Sequence, residues 1–229
     1  MKSDNLIIII VFFLALIGIK CNWNNGGSVY IPTNASTQDV ILQDVQPQCV
    51  IGHFTGRDAI DTLRFQYFSE VDGAEITRIP SMKNDWDSVI EWFNQTHQVN
   101  AFIAYDYDTL FVESAYDLFC FFNIGDVNFD GVDEFAMVVN WLDYSSLNSC
   151  RIYSICNHKF TLLKVFEIHE SAFSQKDTHN TSFVGIKGFL EKENGVWKFR
   201  GHNDDISGVH ESGESRILQL EKCNNNHSN

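Results

Sequence analysis

Three apolar stretches constrain this chain most: AFIAY (101–105), LFCFFNI (118–124) and FAMVVNWL (135–142). A strand with one wet face alternates apolar and polar residues, so runs as continuous as these describe strands covered on both faces. The expected core is sheet on sheet, or sheet under a helix. Elsewhere the pattern is that of half-exposed strands. Leu63, Phe65 and Tyr67 alternate with Arg64 and Gln66, and Phe160, Leu162, Phe166 and Ile168 share one parity. In GFLEKENGVWKFR, Asn194 and Gly195 separate two strand-like runs and suit a type I′ turn, whose two central residues both need positive φ. One segment departs from the β rhythm. Trp86, Val89, Ile90 and Phe93 recur at helical spacing behind the capping candidates Asn84 and Asp85, which predicts a single amphipathic helix over 84–97. The fold class expected is mostly β, a β-rich α+β arrangement of antiparallel, sandwich-like sheets with that one helix.

With 229 residues the chain is long enough for one sizeable core, and its 19 Phe supply aromatic surface that disordered segments lack. It carries 16 Lys and Arg against 30 Asp and Glu, a formal charge of -14, and no basic stretch that would meet phosphates. Nucleic acid is excluded as an expected partner. Such a balance favours divalent cations or a basic protein partner.

Residues 1–20, MKSDNLIIIIVFFLALIGIK, join an early lysine to an apolar run from Leu6 to Ile19, the n-region and h-region of a secretory signal. The run is short for a bilayer span, which needs about 20 helical residues. Cys21 follows at once, and this arrangement resembles a bacterial lipoprotein signal, in which that cysteine is lipidated. Lys20 stands where the family places a small residue. Lipidation at Cys21, cleavage with release, and an uncleaved anchor all direct residues 22–229 out of the cytoplasm. Residues 21–47 are polar and aperiodic and read as a flexible tether, 48–220 as one β-rich domain, and 221–229 as a disordered tail. The cysteines at 21, 49, 120, 150, 156 and 223 form no CxxC pair and no zinc spacing. Cys150 and Cys156 can share one strand face, so any partner must come from another segment.

Only residues 124–139, IGDVNFDGVDEFAMVV, have a physically specific ligand spacing. Asp126, Asn128 and Asp130 occupy loop positions 1, 3 and 5, Gly131 position 6 and Glu134 position 9. Alternate side chains converge when a backbone wraps around a hard cation, and Ca²⁺ takes six to eight oxygens. An EF-hand needs a bidentate Glu at position 12 and a helix beyond it; here position 12 is Met137 and FAMVV reads as a strand.

The segment resembles the calcium loop of FG-GAP and VCBS repeats, the blade motif of integrin-type β-propellers, close to GDxNxDGxxD followed by an apolar strand. Glu134 stands in place of the final Asp and keeps the carboxylate. The resemblance implies a structural Ca²⁺ held by Asp126, Asn128, Asp130, the carbonyl of Val132, and Glu134, with Asp133 facing solvent or capping the turn. A second, degenerate copy lies at 51–65, IGHFTGRDAIDTLRF, where Ile51, Gly52 and Asp61 align with Ile124, Gly125 and Glu134. There His53, Thr55 and Arg57 replace the ligands. Two copies fall short of a closed propeller, so a reduced, propeller-like or sandwich-like architecture is expected.

No GxSxG, HExxH, Walker loop or GxGxxG occurs. The remaining acid-rich places are Asp106 with Asp108, and GHNDDISGVHE, which holds His202, Asp204, Asp205, His210 and Glu211. The expected function is an exported, surface-tethered calcium-binding β-domain that binds or scaffolds an extracellular protein or glycan. Two alternatives stand beside it: a secreted hydrolase or glycan-processing accessory using those acidic residues, and an inhibitor of a basic effector protein.

Overall fold

The computed structural model describes residues 40–56, 58, 60–69, 73–96, 99–105, 108–112, 115–173, 185–204 and 210–223. The leader, Cys21 and most of the expected tether lie outside them. In chain order the elements are β1 (Leu42–Asp44), β2 (Gln48–Gly52), β3 (Asp61–Ser69), β4 (Arg78–Pro80), α1 (Trp86–Thr96), β5 (Val99–Ala104), β6 (Thr109–Val112), β7 (Ala115–Gly125), β8 (Glu134–Trp141), β9 (Leu147–Cys156) and β10 (Lys159–His169). After a 3-10 turn at Glu170–Ala172 come β11 (Leu190–Glu193), β12 (Val196–Phe199), β13 (His202–Asp204), β14 (His210–Ser212) and β15 (Arg216–Ile217). The protein is mostly β, all its ladders are antiparallel, and among the described residues no sheet closes into a barrel.

The β10-β9-β8-β7 sheet is the middle layer. One face gives Leu118, Phe121, Phe135, Met137, Val139 and Tyr153 to a core shared with β2-β3-β5-β6 and with Val89, Trp92 and Phe93 of α1. The opposite face gives Cys120, Phe122, Ala136, Val138, Cys150 and Ile152 to a second core closed by Leu190, Trp197 and Phe199 from the β11-β12-β15 sheet. The unbroken apolar runs of β7 and β8 have this physical cause: both faces are dry. Helix α1 begins as its sequence implies, with Asp85 Oδ1 accepting from Ser88 N at 2.9 Å and Oδ2 from Ser88 Oγ. The β11–β12 hairpin turns at Asn194 (φ 51°) and Gly195 (φ 81°), the positive pair a type I′ turn requires.

Three expectations are corrected. Leu42–Asp44, expected within the tether, form β1 and pair with β4. The shared parity of Phe160, Leu162, Phe166 and Ile168 is broken by a register shift between Leu162 and Lys164, which leaves Leu162 exposed while Phe166 and Ile168 are buried. Residues 221–223, expected in a disordered tail, are tied down by a Cys156–Cys223 disulfide that spans 67 residues. Cys49 is disulfide-bonded too, whereas Cys120 and Cys150 are free and buried.

Candidate metal centre

Strands β7 and β8 close on the pair Gly125↔Glu134, and the intervening residues 126–133 form the loop singled out by its ligand spacing. The wrap is tight: Phe129 (φ 59°) and Gly131 (φ 101°) both take positive φ, a conformation where a glycine is unstrained. The carboxylates organise the backbone. Asp126 Oδ1 accepts from Asp130 N at 3.0 Å and its Oδ2 from Gly131 N at 3.1 Å. Asn128 Oδ1 also accepts from Asp130 N, and Asp130 Oδ1 accepts from Val132 N at 3.1 Å. Glu134 reaches back across the loop, its Oε2 accepting from Val127 N at 2.8 Å. Four of the five expected ligands thus gather in one loop through their side chains, and Val132 joins them through its backbone.

Glu134 is fully buried, and its Oε1 has no hydrogen-bond partner. An ionised oxygen in that position carries the full desolvation penalty. Burial first, then the charges of Asp130 and Asp126, push its carboxyl up to about 8, against the pull of the Val127 and Asn128 amides. Lys222 places its Nζ on the carbonyl of Phe129 at 3.0 Å. Among the described residues no three His, Cys, Asp or Glu side chains form a ready-made metal cluster. The donor set here is mixed, with an amide and a carbonyl beside the acids, and the acids are turned onto the loop's own amides. The residues nonetheless fit a hard cation: oxygen donors only, three of them acidic, one with a buried orphan oxygen.

Two neighbours of the loop were not foreseen. The first is the segment 51–65, which the sequence aligns with the loop. Strands β2 and β3 close on Gly52↔Asp61, the positions aligned with Gly125 and Glu134, and Asp61 Oδ2 accepts from Thr55 N at 2.8 Å much as Glu134 does from Val127 N. The two loops dock on each other. Asp133, expected to face solvent or cap the turn, accepts from His53 N (2.9 Å) and Asn123 Nδ2 (2.8 Å), and its own N–H donates to the carbonyl of His53. A β-carbon on Gly52 would lie 2.3 Å from Asn123 Nδ2 and 2.9 Å from Asp133 Oδ2, so this approach requires glycine.

The second neighbour is the C-terminal strap. Asn128 Nδ2 donates to the carbonyl of Glu221 at 2.9 Å, and Cys223 N donates to Asp130 Oδ2 at 2.9 Å. The Cys156–Cys223 bond anchors that strap to β9. Nothing in local spacing announces contacts 93 residues apart; the signal available was that a partner for Cys156 had to come from another segment.

The weaker candidates fall largely outside the described side chains. Asp106 lies outside the described residues, and Asp108 Oδ2 is taken by Phe160 N at 3.1 Å. His202, Asp204, His210 and Glu211 lie on the two-stranded β13–β14 ladder, whose backbone alone is described, and Asp205 falls outside it. The fold and the loop define a layered antiparallel β-protein with an acidic, oxygen-lined turn. Comparison with protein-family models, curated proteins and solved structures found no match.

Proposed function

We propose that this chain is an exported calcium-binding β-domain that serves as a binding or scaffolding module at the outer cell surface, with calcium stabilising the fold. The observation that carries the reading is the orphaned, fully buried Glu134 Oε1 facing a loop that already holds Asp126 and Asp130. A cation held by Asp126, Asn128, Asp130, the Val132 carbonyl and Glu134 would neutralise that charge and brace the point where the two loops dock. A shell supplied so fully by protein leaves little room for substrate, which favours a structural role. The Cys156–Cys223 bond and the bonded Cys49 support export, since such bonds persist in oxidising compartments. Retention at the surface falls to the Leu6–Ile19 run or to a lipid on Cys21, and the alternative is release.

The test is a thermal melt in millimolar calcium and in excess chelator. At calcium a hundredfold above Kd, linkage gives about 2.7 kcal/mol. For a domain of this size that is a rise of roughly 5–10 °C. Asp126→Ala with Asp130→Ala is expected to abolish the rise; identical melts of the wild type in both conditions would overturn the calcium reading.

A further inference from the structure

The acidic loop occupies one end of the β7–β8 hairpin, and a cavity of about 770 Å³ opens at the other. Asp117 on its floor is eight residues from Gly125 along β7, roughly 25 Å at strand rise. The two places are separate. The cavity volume is that of a small-molecule site. Its aromatic wall includes Trp86, Trp141 and the exposed Tyr144, and its carboxylates are Asp117, Asp143 and Glu170 against one cation, Lys83.

Each wall is held in place by bonds of its own. Trp86 Nε1 donates to the Asp143 carbonyl at 2.7 Å, Tyr144 hydrogen-bonds to Asp87, and Glu170 Oε1 accepts from Ser146 Oγ at 2.9 Å. Trp141 already carries one guanidinium, that of Arg151, 4.9 Å from its ring centroid. The floor differs from the walls. Among the described residues Asp117 has no cationic partner, and the Gln48 side-chain amide and Leu118 N both donate to Oδ1 rather than to Oδ2.

We propose that this cavity is the module's ligand site and that its ligand is an organic cation, a guanidinium or alkylammonium group that pairs with Asp117 between the aromatic walls. The inference rests on the binding-module reading and names the chemistry of the ligand. Aromatic faces attract such cations through the ring quadrupole, and the carboxylates add charge complementarity. A free amine and an arginine or lysine side chain of a basic protein present the same chemistry, and the chain's charge of -14 suits either.

Burial pushes the Asp117 carboxyl up to about 7, against the pull of Leu118 N–H and the Gln48 amide. The titratable groups around it are the phenols of Tyr67 and Tyr116, both pushed upward and so neutral, with Lys83, Asp143 and Glu170 in the cavity and Asp44 behind it. A cation needs Asp117 ionised, so affinity must rise as pH climbs through that value, by roughly tenfold between pH 6 and pH 8.

The experiment is calorimetric titration of the intact protein, in calcium, with agmatine, with the blocked peptide Gly-Arg-Gly, and with cellotetraose as a neutral sugar. Binding of agmatine is expected with Kd below about 1 mM, weakened at least tenfold and stripped of its pH dependence by Asp117→Asn. Stronger binding of the peptide than of agmatine would identify a protein side chain as the source, and the reverse a free amine. Equal cation binding by wild type and Asp117→Asn, binding of the sugar alone, or no binding at all would each overturn the inference. A protein that still gains stability with calcium in those cases keeps the module reading and loses only its ligand.

Discussion

Glu134→Gln is expected to abolish calcium binding while leaving the calcium-free protein at least as stable as the wild type. In the metal-free fold Glu134 is a fully buried carboxyl with one orphan oxygen, and Asp126 and Asp130 add unfavourable charge. With its carboxyl pushed up to about 8, Glu134 must hold a proton at neutral pH in the metal-free fold, and an amide of the same shape removes that cost, keeps an oxygen for Val127 N, and gives the neighbouring carboxylates a donor. With calcium the sign reverses. The wild type gains about 2.7 kcal/mol at a hundredfold excess over Kd and the variant gains nothing, so the order of stabilities crosses between chelator and calcium. Paired urea titrations in both conditions read this crossing directly. A variant less stable than wild type in chelator would mean that Glu134 serves packing and hydrogen bonding alone.

Removing the Cys156–Cys223 bond by Cys156→Ser with Cys223→Ser carries the other large effect. A crosslink spanning 67 residues restricts the unfolded chain by about 4 kcal/mol on the loop-entropy argument. Reduction, which also opens the Cys49 bond, is expected to destabilise the wild type at least as much. A second consequence is specific to this fold. The bond holds the strap whose Glu221 carbonyl and Cys223 N–H engage Asn128 and Asp130, two of the ligand residues. Freeing the strap releases both side chains, so calcium affinity is expected to fall about tenfold or more, equivalent to about 1.4 kcal/mol. Unchanged affinity in a folded, disulfide-free protein would show that the strap lies over the loop without bracing it.

Much of the scaffold was legible in short patterns, because their causes are local. Asp85 caps α1 through a residue three positions away, Asn194 and Gly195 supply their own φ, and the continuous apolar runs of β7 and β8 report two dry faces. The acidic loop was legible for the same reason: its donors are spaced within one turn of backbone. Legibility failed where partners are remote. The register shift in β10 moved Leu162 out to solvent, although parity alone had placed it with Phe166. Asp133 turned to His53, 80 residues away, because the two hairpin loops lie against each other. The aromatic and acidic cavity draws on residues from Gln43 to Phe173, and only the layered fold brings Trp86, Asp117 and Glu170 to one opening. No spacing rule connects them.

Calorimetric titration of the chelator-treated protein with calcium asks whether residues 126–134 hold the ion. One site per chain is expected, saturating at or below millimolar calcium, lost in Asp126→Ala with Asp130→Ala and preserved in Asp117→Asn. No binding in the folded wild type, or binding that the double variant retains, would contradict it.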